Sequence, residues 1–270
     1  MAKPSGAGAS AISRSLGWVT MLVMLAGLYG AFIYAPTEKV MGNVQRVFYI
    51  HVPSAWVTYL AVGVAFVASI LFLRSRNRRW DTLAQCSVEI GTVFATIVLI
   101  TGPIWGKPAW GTWWTWDARL TSMLVLWLIL IAYQMMRSYV QEPDQRARYS
   151  AVLAIVGALD IPIIHFSVTW WRTMHPEATV IRAEGPSLDP RMLQVLIVCL
   201  VAFTLLYIFL LIRRFRLEEM RNRVTQLKVE LGFEDIRGSY LVPQDAEPKL
   251  AVGGPPEVRL AEDSGTKQGS

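Results

Sequence analysis

Hydrophobic residues in this chain fall in long unbroken runs, not at the alternating or three-and-four spacing of half-buried strands and helices. The runs are about 17–22 residues long, enough for a helix to cross a hydrocarbon layer about 30 Å thick. Lipid offers no partners to backbone N–H and C=O groups, so such runs are predicted as helices that satisfy those groups internally. Six can be drawn: 16–35, 54–73, 83–103, 120–136, 149–168 and 192–212. The pattern predicts an all-α polytopic membrane protein with six transmembrane helices.

Polar positions orient the spans. One set of flanks holds Lys3 and Arg14, then Arg74, Arg76, Arg78 and Arg79, then Arg137, Arg146 and Arg148. The stretch after the last run adds Arg213, Arg214, Arg216, Arg221, Arg223 and Lys228. The opposite loops hold Lys39, Arg46, Lys107, Arg119, Arg172, Arg182 and Arg191. The richer set is read as cytoplasmic, which puts both termini inside. The net charge of +6 then reflects helix ends and not a nucleic-acid surface. The first run exceeds a usual signal-peptide core and is read as a retained span.

A membrane domain at 16–212 thus follows a cytoplasmic N-terminus at 1–15. Residues 213–237 read as a charged cytoplasmic helical extension with Leu217, Val224, Leu227 and Leu231 as a packing stripe. From 238 to 270, Pro, Gly and charge predict a disordered tail. Composition agrees, with 53% hydrophobic and 17% charged residues. Cys86 and Cys199 lie within apolar runs, so neither a structural disulfide nor a cysteine metal site is expected, and without C-x-x-C-H the chain carries no covalent c-type haem.

The loop at 104–121 changes this picture. It contains W-G-K-P-A-W-G-T-W-W-T-W-D-A-R-L-T, with Trp105, Trp110, Trp113, Trp114 and Trp116 among the chain's 11 tryptophans. An interfacial aromatic belt usually supplies one or two rings per helix end. Five rings interleaved with Gly106, Pro108 and Gly111 read instead as a shaped platform for a flat ligand. Asp117 reads equally as a helix cap and Arg119 as a local ion-pair partner or a clamp for a ligand carboxylate.

Of three histidines, His51 lies in F-Y-I-H-V-P just before the second span, where Pro53 and Ser54 predict the helix start. His175 follows the fifth span, and His165 lies near that span's outer end, where it reads as a satisfied intramembrane residue. Two spans separate His51 from the tryptophan loop and four separate it from His175. Even counts return the chain to the same face. Two imidazoles beside aromatic rings suit haem iron, whose two axial positions histidines commonly fill. Closed zinc would need four ligands, and no outer cysteine exists. Glu89 and Asp160 sit within spans, where structural pairing, with His165 as one partner for Asp160, competes with a proton or substrate path.

The segment from Trp105 to Thr121 resembles the WWD signature of the haem-handling superfamily. Together with F-Y-I-H-V-P, S-V-T-W-W-R-T-M-H-P and six spans, it resembles the haem exporter protein C family (CcmC) of the system I cytochrome c maturation pathway. The resemblance implies a non-enzymatic protein of the bacterial inner membrane that holds non-covalent haem b at the periplasmic face. It implies His51 and His175 as axial iron ligands, with Trp105, Trp110, Trp113, Trp114, Trp116, Asp117 and Arg119 supporting the haem. Implied partners are the haem chaperone CcmE, the ABC transporter subunits CcmA and CcmB, and the small membrane protein CcmD. Alternative readings are a cytochrome c synthase of the same superfamily, a b-haem electron-transfer subunit, and a solute transporter using Glu89 and Asp160.

Overall fold

The computed structural model describes residues 6–171, 175 and 188–230. It contains α1 (Gly6–Tyr29), α2 (Phe48–Ser75), α3 (Arg78–Trp110), α4 (Ala118–Tyr139), α5 (Pro143–Trp170) and α6 (Pro190–Glu230). A π-helical turn, Gly30–Tyr34, prolongs α1, and a 3₁₀ turn, Asn43–Val47, leads into α2. All six helices are long and apolar enough to cross a membrane. Residues up to Arg223 form one compact unit, and the described part of a second, from Val224, is the last stretch of α6. The tail beyond residue 230 lies outside the described residues.

Short connections make α2 and α3, and α4 and α5, antiparallel neighbours. α2 ends where Arg76 turns left-handed at φ 57°, and its N–H reaches the Phe72 carbonyl. Asn77 then caps α3 by accepting from the Arg79 amide at 3.0 Å. Between α4 and α5, Glu142 accepts from the amides of Asp144 and Gln145, and Pro143 takes the first helical position, where its missing N–H costs nothing. Those amide protons hold the exposed Glu142 carboxyl below its ordinary range.

The centre is α3. More than half of its apolar window is buried, against 17% for α1. Val62, Val88, Leu126, Leu130 and Ile164 join α2, α3, α4 and α5 in one core. Val57, Ile90, Phe94 and Tyr207 bring α6 against α2 and α3. The Ser87 hydroxyl secures that seam through the Ala61 carbonyl (2.7 Å) and the Tyr207 hydroxyl (2.8 Å). Ala31 and Ala35 at the end of the first span pack with Tyr49 and with Leu196 of α6. Large apolar side chains such as Leu22, Ile33, Val93 and Leu159 face outward, as a lipid-facing surface requires. Both cysteines are buried and free.

Charge is organised at the end where α3 begins. Arg137 donates to both Asp81 oxygens (2.6 and 3.2 Å), to Gln85 (2.7 Å) and to Ser150 (3.1 Å). Gln85 donates to Glu89 at 3.0 Å, and Glu89 accepts a two-pronged contact from Arg214 at 2.7 and 3.0 Å. Arg214 also meets Glu218 at 2.6 Å. The result is one polar chain from α4 through α3 to α6.

Several predicted boundaries shift. α2 starts at Phe48, so His51 lies within its first turn and Pro53 is inside the helix. α3 continues through Pro103 and Pro108 to Trp110, which shortens the tryptophan loop. The extension beyond residue 212 is continuous with the last span. Its stripe residues Leu217, Val224 and Leu227 are exposed instead of packed.

Candidate functional site

His51 occupies the first turn of α2 with α3 beside it. Its Nδ1 lies 2.9 Å from Thr101 Oγ1. At Gly102 an added Cβ would lie 3.4 Å from the His51 ring, so the α3 backbone runs close beside the imidazole. The indole N–H of Trp105 donates to Gln45 at 3.1 Å, tying the end of α3 to the 3₁₀ turn before His51. Arg46 in that turn donates to the Ala31 carbonyl at 2.6 Å. His51 thus sits on an entry anchored to both the first span and α3.

The tryptophans divide into two groups. Trp105 and Trp110 stand on the last turns of α3, edge to face at 5.8 Å. Both also meet the ring of His175, at 6.5 and 6.1 Å. Gly106 permits this pairing, because a Cβ there would come within 2.8 Å of the Trp110 ring. Gly111 ends the helix at φ +74°, a left-handed conformation that glycine adopts without penalty, and its N–H reaches the Lys107 carbonyl at 3.0 Å. Lys107 returns the contact by donating to the Gly111 carbonyl at 2.7 Å and lies 6.0 Å from the Trp113 ring centre.

Trp113, Trp114 and Trp116 form the second group, in the turn between α3 and α4. Trp114 and Trp116 are edge to face at 5.6 Å. Trp116 is held at φ 53°, uncommon for a large side chain, and such backbone strain concentrates at functional turns. Trp116 is 71% exposed and Trp113 is 58% exposed, so both present aromatic surface. Trp114 points inward, and its indole nitrogen is buried without a hydrogen-bond partner among the described residues.

Asp117 is engaged locally. Its Oδ1 caps α4 by accepting from the Leu120 amide at 2.9 Å, and its Oδ2 accepts from the Thr115 hydroxyl at 3.0 Å. Arg119, two residues on, has its Nη1 3.4 Å from His175 Nδ1. Among the described residues, His175 and Arg119 are also electrostatic neighbours of His51. The Tyr59 hydroxyl faces the same guanidinium. His51, His175, Arg119, Trp105 and Trp110 are therefore brought together, while Trp113, Trp114 and Trp116 make up the adjoining turn.

Sequence reasoning missed three contributors: Tyr59, Thr101 and Gln45. Tyr59 was readable once α2 is extended to Phe48, since positions 51, 55 and 59 share one helical face. Thr101 likewise falls four residues from Trp105 once α3 is carried past Pro103.

Of the intramembrane groups, Asp160 is an electrostatic neighbour of Tyr59, whereas Glu89 and His165 make their contacts elsewhere. Glu89 belongs to the charged chain through Arg214. His165 is exposed and packs edge-on to Phe166 at 5.0 Å, whereas Asp160 is buried, with Oδ2 unpartnered among the described residues. The anticipated Asp160–His165 pairing does not form.

Among the described residues, no cluster of three or more His, Cys, Asp or Glu is placed to hold a metal ion. Two imidazoles, a guanidinium and indole faces suit a metal that brings its own equatorial donors on a flat apolar ring, with acidic edge groups for the arginine. Iron porphyrin has that chemistry.

Comparison with known proteins agrees. The family model described as Heme exporter protein C matches residues 3–230. A Heme exporter protein C of Bradyrhizobium diazoefficiens is 40% identical over 220 residues, covering 80% of this chain and 83% of the relative. Proteins of the same name from Haemophilus influenzae and Escherichia coli K12 are each 34% identical. They cover 78% and 80% of this chain and 86% and 89% of their own lengths. With its six membrane-length helices and its histidine–tryptophan cluster, this chain belongs to the heme exporter protein C family.

Proposed function

We propose that this protein binds haem b non-covalently at the periplasmic face of the bacterial inner membrane and presents it to the haem chaperone CcmE during cytochrome c maturation. The observation that carries this reading is the gathering of His51, His175, Arg119, Trp105 and Trp110 at one end of the bundle. The arginine bias of the opposite end supports a periplasmic position for that cluster and cytoplasmic termini. The family name supports haem as the cargo and a membrane complex with other Ccm components; the members we propose are the ABC transporter subunits CcmA and CcmB and the small protein CcmD.

In this reading His51 and His175 supply the axial nitrogens, and Arg119 meets a propionate through its planar fork. Trp105 and Trp110 border the ring, and Asp117 sets the start of α4 so that Arg119 faces the histidines. The exposed Trp113 and Trp116 offer the surface on which the chaperone meets the haem edge. The protein acts by holding and exposing its cargo, with a role in promoting covalent attachment of haem to the chaperone left open to it. Two exchangeable imidazoles allow release in steps.

The test is the absorption spectrum of the purified full chain after expression with ample haem. Wild type is expected to show a low-spin bis-histidine haem. His51→Ala and His175→Ala each lower bound haem and block loading of the chaperone. Full loading by the double variant would overturn the ligand assignment. Trp114→Ala is expected to insert normally but transfer poorly, and unchanged transfer would return the turn to an interfacial belt.

A further inference from the structure

The hydrogen bonds around the two histidines place their protons on different nitrogens. A threonine hydroxyl has one proton and two lone pairs. Thr101 Oγ1 lies 2.6 Å from the Ile97 carbonyl oxygen, which can only accept, so the hydroxyl proton is committed there. The same oxygen lies 2.9 Å from His51 Nδ1. Thr101 must therefore accept from His51, and Nδ1 carries the ring proton. In the neutral imidazole the lone pair is then on Nε2, the form in which a histidine is ready to bind a metal.

His175 is set the other way. A guanidinium donates and never accepts. With Arg119 Nη1 3.4 Å away, His175 Nδ1 is the acceptor and the ring proton lies on Nε2. Coordination by His175 through either nitrogen displaces Arg119. Through Nδ1, iron would take the lone pair that Arg119 uses. Through Nε2, the ring must first lose that proton to water and gain one at Nδ1, which then repels the arginine donor.

Resting on the haem reading above, we infer that Thr101 is a positioning residue that makes His51 the standing iron ligand, while Arg119 keeps His175 a conditional one. Haem is gained first at His51 and released first at His175. The free protein and the loaded protein then differ in what Arg119 touches: an imidazole before loading, an acidic group of the cargo afterwards.

Two measurements on the full chain in detergent test this. In the haem-free protein, ¹⁵N shifts of the His51 ring should show a protonated Nδ1 and a bare Nε2. Thr101→Ser should keep that pattern and Thr101→Val should lose it. The reverse assignment in wild type overturns the inference, and this arm needs no variant that folds. In haem titrations, Thr101→Val should weaken binding by about 10–100-fold, the usual cost of removing an outer partner of a metal-bound histidine. Thr101→Ser should bind like wild type, and wild-type affinity in Thr101→Val counts against the positioning role. His175→Ala should retain a five-coordinate, high-spin fraction on His51, whereas His51→Ala should lose nearly all haem. Equal losses overturn the asymmetry. Unaltered haem binding in His51→Ala would instead sink the ligand reading itself, which separates the two failures.

Discussion

The two ends of the helical bundle treat polar groups in opposite ways. At the end where α3 begins, charges are spent on one another: Arg137 has four hydrogen bonds to Asp81, Gln85 and Ser150, and the chain continues through Glu89 to Arg214 and Glu218. At the end where α3 finishes, Arg119 faces a histidine, and among the described residues Trp114 keeps an unpaired indole N–H and Trp113 and Trp116 are exposed. A closed network fixes helices in register, whereas groups left with spare capacity are suited to a visitor. Structure is held at one end, and the proposed recognition belongs to the other.

Substitutions can break or sharpen this contrast. The largest effect is expected for Asp81→Ala, which strands the buried Arg137 guanidinium. Removing one member of a buried pair typically costs about 3–5 kcal/mol. It should appear as a lowered unfolding midpoint in detergent, with haem binding by the surviving folded fraction unchanged. Gly106→Ala comes next. A methyl forced against Trp110 should cost about 1–3 kcal/mol of overpacking, with haem affinity falling more than the unfolding midpoint because Trp110 borders His175. Haem affinity equal to wild type would detach that ring from the site.

Asp117→Ala should remove the α4 cap at about 1 kcal/mol, while Asp117→Asn, nearly as good a cap, should keep both stability and haem binding. A haem-binding defect in the asparagine variant would show that the negative charge matters beyond the cap. The smallest effect belongs to Glu142. Its folded-state carboxyl titrates below the ordinary range, so its contribution is present above that range and lost as pH falls through the depressed value. Glu142→Ala should flatten the acid limb of the stability profile, and an unchanged limb would remove this cap from consideration.

Much of this was legible in the chain. The six spans follow from run length alone, and the parity of spans between His51, the tryptophan loop and His175 matches their gathering at one end. Helix limits were less legible, because proline was read as a boundary. Pro53 is tolerated where Tyr49 is buried against α6 and Arg46 is anchored to Ala31. At the end of α3 the effective stop is Gly111, which alone supplies the left-handed turn, so Pro103 and Pro108 were passed over. Tertiary packing outweighed a local preference at both places. The choice for Arg119 between a local ion pair and a clamp for a ligand carboxylate was open from residue type, since one guanidinium serves either purpose.

The prolines passed over in α3 have a further consequence. Residues 103 and 108 have no amide hydrogen to return to the carbonyls of Leu99 and Ile104, so the hydrogen-bond ladder is interrupted twice within the last three turns. That stretch should open locally at lower cost than the middle of the rod, and its amides from Trp105 to Gly111 should exchange with deuterium well before those around Phe94. The segment bearing the paired indoles is then the part of α3 that yields first, while the middle of the rod stays closed.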